Sequence, residues 1–171
     1  MFAVSLIGAL VLATPKQDSL DPHLEPFKPL LGMTFKGVFK KSTPENPIID
    51  VTHWERAMNG KAVRFFHSVN DGAYGGETIF RWDPEKNAVT GHYFTTANFM
   101  TVGTVTFERG ELQFHDKVVG QAGDTVAVEA TISFNKEGGY TVRADAITKT
   151  GEKNSRETVY KPDLQSRVVF K

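Results

Sequence analysis

The chain has 171 residues, a length that suits one domain rather than two. Its 20 Lys and Arg balance its 20 Asp and Glu, which removes both the basic field a nucleic-acid partner would need and any acidic tail. Cysteine is absent, so disulfide frameworks, thiolate metal sites and cysteine nucleophiles are excluded, while a hydrophobic share of 40% with 13 Phe suffices for a folded core.

The first segment, Met1 to Ala13, reads MFAVSLIGALVLA, apolar and uncharged. It is shorter than the roughly 20 residues a membrane-spanning helix requires, so no integral membrane span is expected. Its length is that of a signal-peptide core, and Val11-Leu12-Ala13 places small residues at the positions read before cleavage. No Lys or Arg precedes Lys16, so the usual positive region is missing. The reading is export, to the periplasm or beyond. An apolar extension packed on the fold, a membrane tether and a cytoplasmic location stand as alternatives. Residues 14–32 form a lead-in with a short helix. Asp21 can cap it, Pro22 suits its first position, and Leu24, Phe27, Leu30 and Leu31 give it an apolar side.

From Met33 onward apolar and polar residues alternate, rich in Val, Thr, Phe and Tyr, and no long helical period occurs. Turn signals recur at Asn59-Gly60, Asp71-Gly72, Asp83-Pro84, Ala97-Asn98, Arg109-Gly110, Gly120, Glu137-Gly138 and Thr150-Gly151. The fold class is therefore all-β. About nine or ten strands joined by short turns make an antiparallel up-and-down barrel over residues 33–171, because a sheet that wide would otherwise leave long edges exposed. Arg167-Val168-Val169-Phe170 is the expected closing strand.

Two hairpins can be put in register. A turn at Asn59-Gly60 sets Glu55 opposite Arg64, and one at Asp71-Gly72 fixes the next strand pair. One face then carries Thr52, Trp54, Arg56, Met58, Val63, Phe65, His67, Val69, Tyr74, Gly76, Thr78, Phe80 and Trp82. Burying each large ring is worth roughly 2 kcal/mol, so this face should line the interior and the Glu55–Arg64 pair should lie outside. Arg56, His67 and Tyr74 are the candidates to orient the polar end of a small apolar or amphipathic ligand. Trp54, Phe65, Phe80 and Trp82 are the candidates to enclose the rest. Gly75 and Gly76 beside Tyr74 mark either a barrel corner or a ligand passing over bare backbone.

Nothing marks a catalytic or metal site. The same register puts His53 and His67 on opposite faces, so that pair does not converge on a metal, and no Ser stands in an elbow motif. An acid–base pair built on His67 and a carboxylate remains open.

The runs Trp54-Glu55-Arg56-Ala57-Met58-Asn59-Gly60-Lys61, Tyr74-Gly75-Gly76-Glu77, Trp82-Asp83, Tyr93-Phe94-Thr95-Thr96 and Gly103-Thr104 resemble a bacterial lipocalin-like family, often found behind export signals. The likeness runs from about Leu30 to Pro162. It implies a calycin-type barrel, lipocalin- or fatty-acid-binding-protein-like, without an assigned reaction. Gly76-Glu77-Thr78-Ile79-Phe80-Arg81 is more distantly similar to nitrobindin-type haem barrels, whose histidine ligand lies near the carboxyl end. Here the last histidine is His115, so haem is not expected and no cofactor is assigned. The expected function is binding of a small molecule, with an isomerase or lyase in the same cavity, or an interaction protein with a filled core, as alternatives. A homodimer is compatible with the sequence.

Overall fold

The computed structural model of the protein describes residues 19–171, so the run Met1–Ala13, with the export reading attached to it, lies outside the described residues. Leu24, Phe27 and Leu30 recur every third residue, a spacing that aligns side chains on one face of a 3₁₀ helix. Pro22–Leu30 forms that helix, and the three side chains are buried. Pro26 and Pro29 lack the N–H groups an α-helix would use there. Asp21 caps its start, Oδ1 accepting from the His23 N–H at 3.2 Å.

Ten strands follow: β1 Met33–Val38, β2 Ile49–Ala57, β3 Ala62–Val69, β4 Tyr74–Asp83, β5 Ala88–Thr95, β6 Met100–Glu108, β7 Glu111–Val119, β8 Thr125–Phe134, β9 Tyr140–Thr148 and β10 Lys153–Pro162. Each pairs antiparallel with its neighbours in sequence, and β1 pairs with β10 to close the barrel. The closing strand is therefore not Arg167–Phe170. Pro162 pairs with Phe35 and the Asp163 N–H still donates to the Thr34 carbonyl at 2.9 Å, but the Asp163 side chain then accepts from the N–H groups of Gln165 and Ser166 at 3.0 and 3.1 Å, which curls the chain away. The tail then crosses the outside of the barrel, where the Val169 N–H donates to Ser68 Oγ at 3.0 Å.

Both hairpins have the register read from sequence: Trp54 faces Phe65, Glu55 faces Arg64 and His67 faces Gly76. Each turn occupies four residues rather than two, with Met58, Asn59 and Gly60, and Asn70, Asp71 and Gly72, at positive φ. The loops lengthen symmetrically, so the register is kept. Arg64 donates outside the barrel to Glu55 at 2.9 Å and to Glu77 at 2.7 Å, in a half-exposed cluster that adds little stability.

The 3₁₀ helix lies across one end of the barrel. The Phe27 ring sits 5.0 Å from that of Phe80 and 6.0 Å from that of Trp54, between centroids. Phe35, Trp54, Val63, Phe80, Leu112, Ile132 and Tyr140 complete the core beneath it.

Candidate functional site

Above this core the interior holds a cavity of about 480 Å³, within the range of small-molecule sites, so the filled-core alternative loses its premise. Ten strands enclose more space than an eight-stranded barrel, whose interior side chains can fill. Trp54, Phe65, Phe80 and Phe114 form an aromatic floor. Asp50, His67, Tyr74 and Tyr93, from β2 to β5, make a polar wall, while Val128, Ala130, Val142, Ala144 and Ala146, from β8 and β9, make an apolar wall. Phe99 and Ala122, in the loops away from the 3₁₀ helix, border it as well.

Five of the residues singled out in the sequence meet here: Trp54, Phe65, His67, Tyr74 and Phe80. Arg56 and Trp82 do not. They share the inward parity but lie past the point where the 3₁₀ helix crosses, which cuts them off from the cavity. Trp82 stacks on His23 at 3.6 Å between ring centroids. The Arg56 guanidinium lies against Gly60, where an added Cβ would sit 2.8 Å from its Nε. The cationic side chain that does line the cavity is Arg156 on β10, exposed and placed over the Phe39 ring at 5.4 Å.

The polar wall is one connected set of hydrogen bonds. Asp50 accepts from Tyr160 O–H through Oδ2 at 2.7 Å, and its Oδ1 meets His67 Nδ1 at 2.9 Å. His67 Nε2 meets the Tyr93 hydroxyl at 2.6 Å, and that hydroxyl meets Tyr74 OH at 3.0 Å. Below it, the Tyr140 hydroxyl joins Thr52 Oγ1 at 2.7 Å and accepts from Trp54 Nε1 at 3.3 Å. Across the cavity, Thr101 Oγ1 donates to Asp116 at 3.1 Å.

Glycines let these rings reach their partners. Gly76 lies under the Tyr93 ring, with which any Cβ would collide, so that Tyr93 on β5 can cross β4 to His67 on β3. At Gly37 a Cβ would sit 2.7 Å from Tyr160 Cε1. Aromatic rings over strand glycines thus replace both readings drawn from the sequence, corner and ligand passage. Gly75 faces outward, under Phe170 of the tail.

Burial pushes the phenols of Tyr74, Tyr93, Tyr140 and Tyr160 above the ordinary tyrosine value. The Asp50 charge adds to the rise at all four, whereas Arg156 pulls Tyr74, Tyr93 and Tyr160 back down. Burial also raises the Asp116 carboxyl, against the hydrogen bond from Thr101.

Sequence reasoning missed Asp50, Tyr93, Tyr160 and Arg156. Asp50 lies two residues before Thr52 and shares its parity, so extending that face by one step finds it. Tyr160 and Arg156 come within reach only when β10 closes on β1, which no local hairpin signal encodes. His53 lies on the outer face, bonded to Thr34 Oγ1 at 2.8 Å. Among the described residues no group of three or more His, Asp or Glu converges to hold a metal ion. His67 is the histidine among the cavity-lining residues, and both its ring nitrogens are hydrogen-bonded.

No family model matches the chain, and no curated protein matches it. Among solved structures, the crystal structure of Rv2717c from M. tuberculosis is similar, with a TM-score of 0.61 over 84% of this chain and 99% of that one, at 12% identity. At that identity the likeness is one of fold alone. The closed ten-stranded antiparallel barrel agrees with a calycin-like architecture.

Proposed function

We propose that the barrel binds a small amphipathic molecule, its apolar part on the aromatic floor and the β8–β9 wall and its polar end against Tyr74, His67 and Arg156. The observation that carries this reading is the cavity of about 480 Å³, walled by apolar side chains on one side and by a hydrogen-bonded polar cluster on the other. Apolar surface supplies affinity and the few polar groups fix orientation. The role first given to Arg56 passes to Arg156, and Trp82 drops out of the lining. One chain walls the cavity, so the reading needs no second subunit. The apolar run Met1–Ala13 supports placing the protein in the periplasm or outside the cell, as a lipocalin-like family member would be.

N-phenylnaphthylamine, which fluoresces in apolar surroundings, tests the reading. Saturable binding by the native protein, lost in Ala144→Phe while its fold is kept, supports it. Equal binding by both proteins, or by neither, contradicts it.

A second reading, an isomerase or lyase, draws on the contact between Asp50 and His67 at 2.9 Å. A buried carboxylate orienting an imidazole is the arrangement general acid–base catalysis uses. Enolisable carbonyl compounds that exchange α-protons for deuterium with the native protein, and not with His67→Gln, would favour it.

A further inference from the structure

We infer that the head group of the bound molecule is an anionic hydrogen-bond acceptor, and that it enters together with one proton, held on His67. The inference rests on the binding reading above and adds to it the chemistry of the head group.

The direction of the hydrogen bonds along the polar wall carries the argument. Both oxygens of Asp50 are engaged, one by Tyr160 and one by His67 Nδ1. An ionised carboxylate accepts only, so Nδ1 carries a proton. In neutral His67, Nε2 is then an acceptor, and Tyr93 donates to it. The Tyr93 oxygen in turn accepts from Tyr74, whose own oxygen shows the cavity lone pairs alone. A second proton on His67 reverses every step. Nε2–H donates to Tyr93, Tyr93 donates to Tyr74, and the Tyr74 O–H is released toward the cavity. Neutral His67 therefore offers a ligand an acceptor, and protonated His67 offers it a donor. A carboxylate or sulfonate has no hydrogen to give, so it matches the second state alone.

The charges point the same way. His67 is faced by Asp50 from β2, Tyr74 from β4, Tyr93 from β5, Asp116 from β7, and Tyr160 and Arg156 from β10. Tyr140, on β9, is taken up by Thr52 and Trp54. Arg156 balances one of the two carboxyl groups, Asp50 and Asp116, so an entering anion adds negative charge that a proton on His67 offsets. Histidine is the side chain whose charge ordinarily changes between about pH 5 and pH 8. Linkage is reciprocal: a proton that favours the anion is favoured by it.

Two probes of similar shape test this. Anilinonaphthalene sulfonate keeps its negative charge at every working pH, and N-phenylnaphthylamine lacks the sulfonate. Between about pH 8 and about pH 6, the sulfonate should bind several-fold more tightly, its slope bounded by about tenfold per pH unit for one proton. The neutral probe should bind equally throughout. His67→Gln, which keeps a hydrogen-bonding side chain that does not titrate, should flatten the sulfonate profile. Calorimetry of the native protein in two buffers of different ionisation heat should register the uptake of about one proton per sulfonate bound. Equal pH slopes for the two probes, a slope that survives His67→Gln, or no proton uptake would overturn the inference while leaving the binding reading intact. Failure of both probes to bind would overturn the binding reading and this one with it.

Discussion

Gly76 and Tyr93 show how much of the site depends on single atoms. A methyl group at residue 76 has no room beneath the Tyr93 ring, so Gly76→Ala should push that ring off His67. We expect a loss of about 1–3 kcal/mol, the scale of overpacking, measured by urea unfolding, and a weaker bond between His67 and Tyr93 seen in the imidazole NMR shifts. Unchanged stability and shifts would mean that the ring does not lie there. Tyr74→Phe removes the hydroxyl that meets the head group. It should weaken anilinonaphthalene sulfonate by about 1–1.5 kcal/mol and leave N-phenylnaphthylamine unaffected, as titrations of both will show. At this scale the sequence was legible where parity along a strand decides the matter: His67 and Tyr74 were placed inside, His53 outside. It was not legible for Arg56, because parity tells which face a residue takes and not how far along the barrel the cavity extends. Tyr93 escaped for a related reason, since its meeting with His67 spans two strand pairings and needs a bare glycine between them.

The 3₁₀ helix is the element that decides which inward residues reach the cavity. Its three buried side chains seal one end, and Phe27, between Phe80 and Trp54, is the largest of them. Phe27→Ala should cost about 3–5 kcal/mol and admit solvent beneath Trp54, seen as a red shift of the tryptophan emission. A loss below about 1 kcal/mol would show that the helix is an ornament on an already closed barrel. The apolar side of this element was readable from Leu24, Phe27, Leu30 and Leu31, but its 3₁₀ winding was not, because a spacing of three also occurs on the apolar face of an α-helix. The carboxyl-terminal run misled for a different reason. Arg167-Val168-Val169-Phe170 has strand-forming residues, yet its place in the barrel was already filled by β10, and the Asp163 side chain turns the chain outward. Local propensity cannot register that a sheet has already closed.

For the whole molecule, closure puts all four tyrosines inside, with phenols raised by burial. An unfolded chain releases these protons near the ordinary value of about 10, while the folded barrel keeps them. The folded state then binds more protons, so stability present below about pH 10 falls as the pH rises past it. Phenolate absorbance should stay low until the near-ultraviolet circular dichroism is lost, and then appear in one cooperative step. Gradual ionisation of a barrel that remains folded would contradict the burial described here. The similarity to Rv2717c extends to this architecture and leaves the contents of the barrel to be read from its own side chains.

The central claim is that an amphipathic molecule lies in the barrel with its apolar end on the floor beside Trp54. Trp82→Phe leaves Trp54 as the single tryptophan. Undecanoic acid brominated at its terminal carbon should then quench Trp54 strongly and saturably, and the same acid brominated next to its carboxyl group should quench it weakly. Weak quenching by both, or the reverse order, would contradict the account.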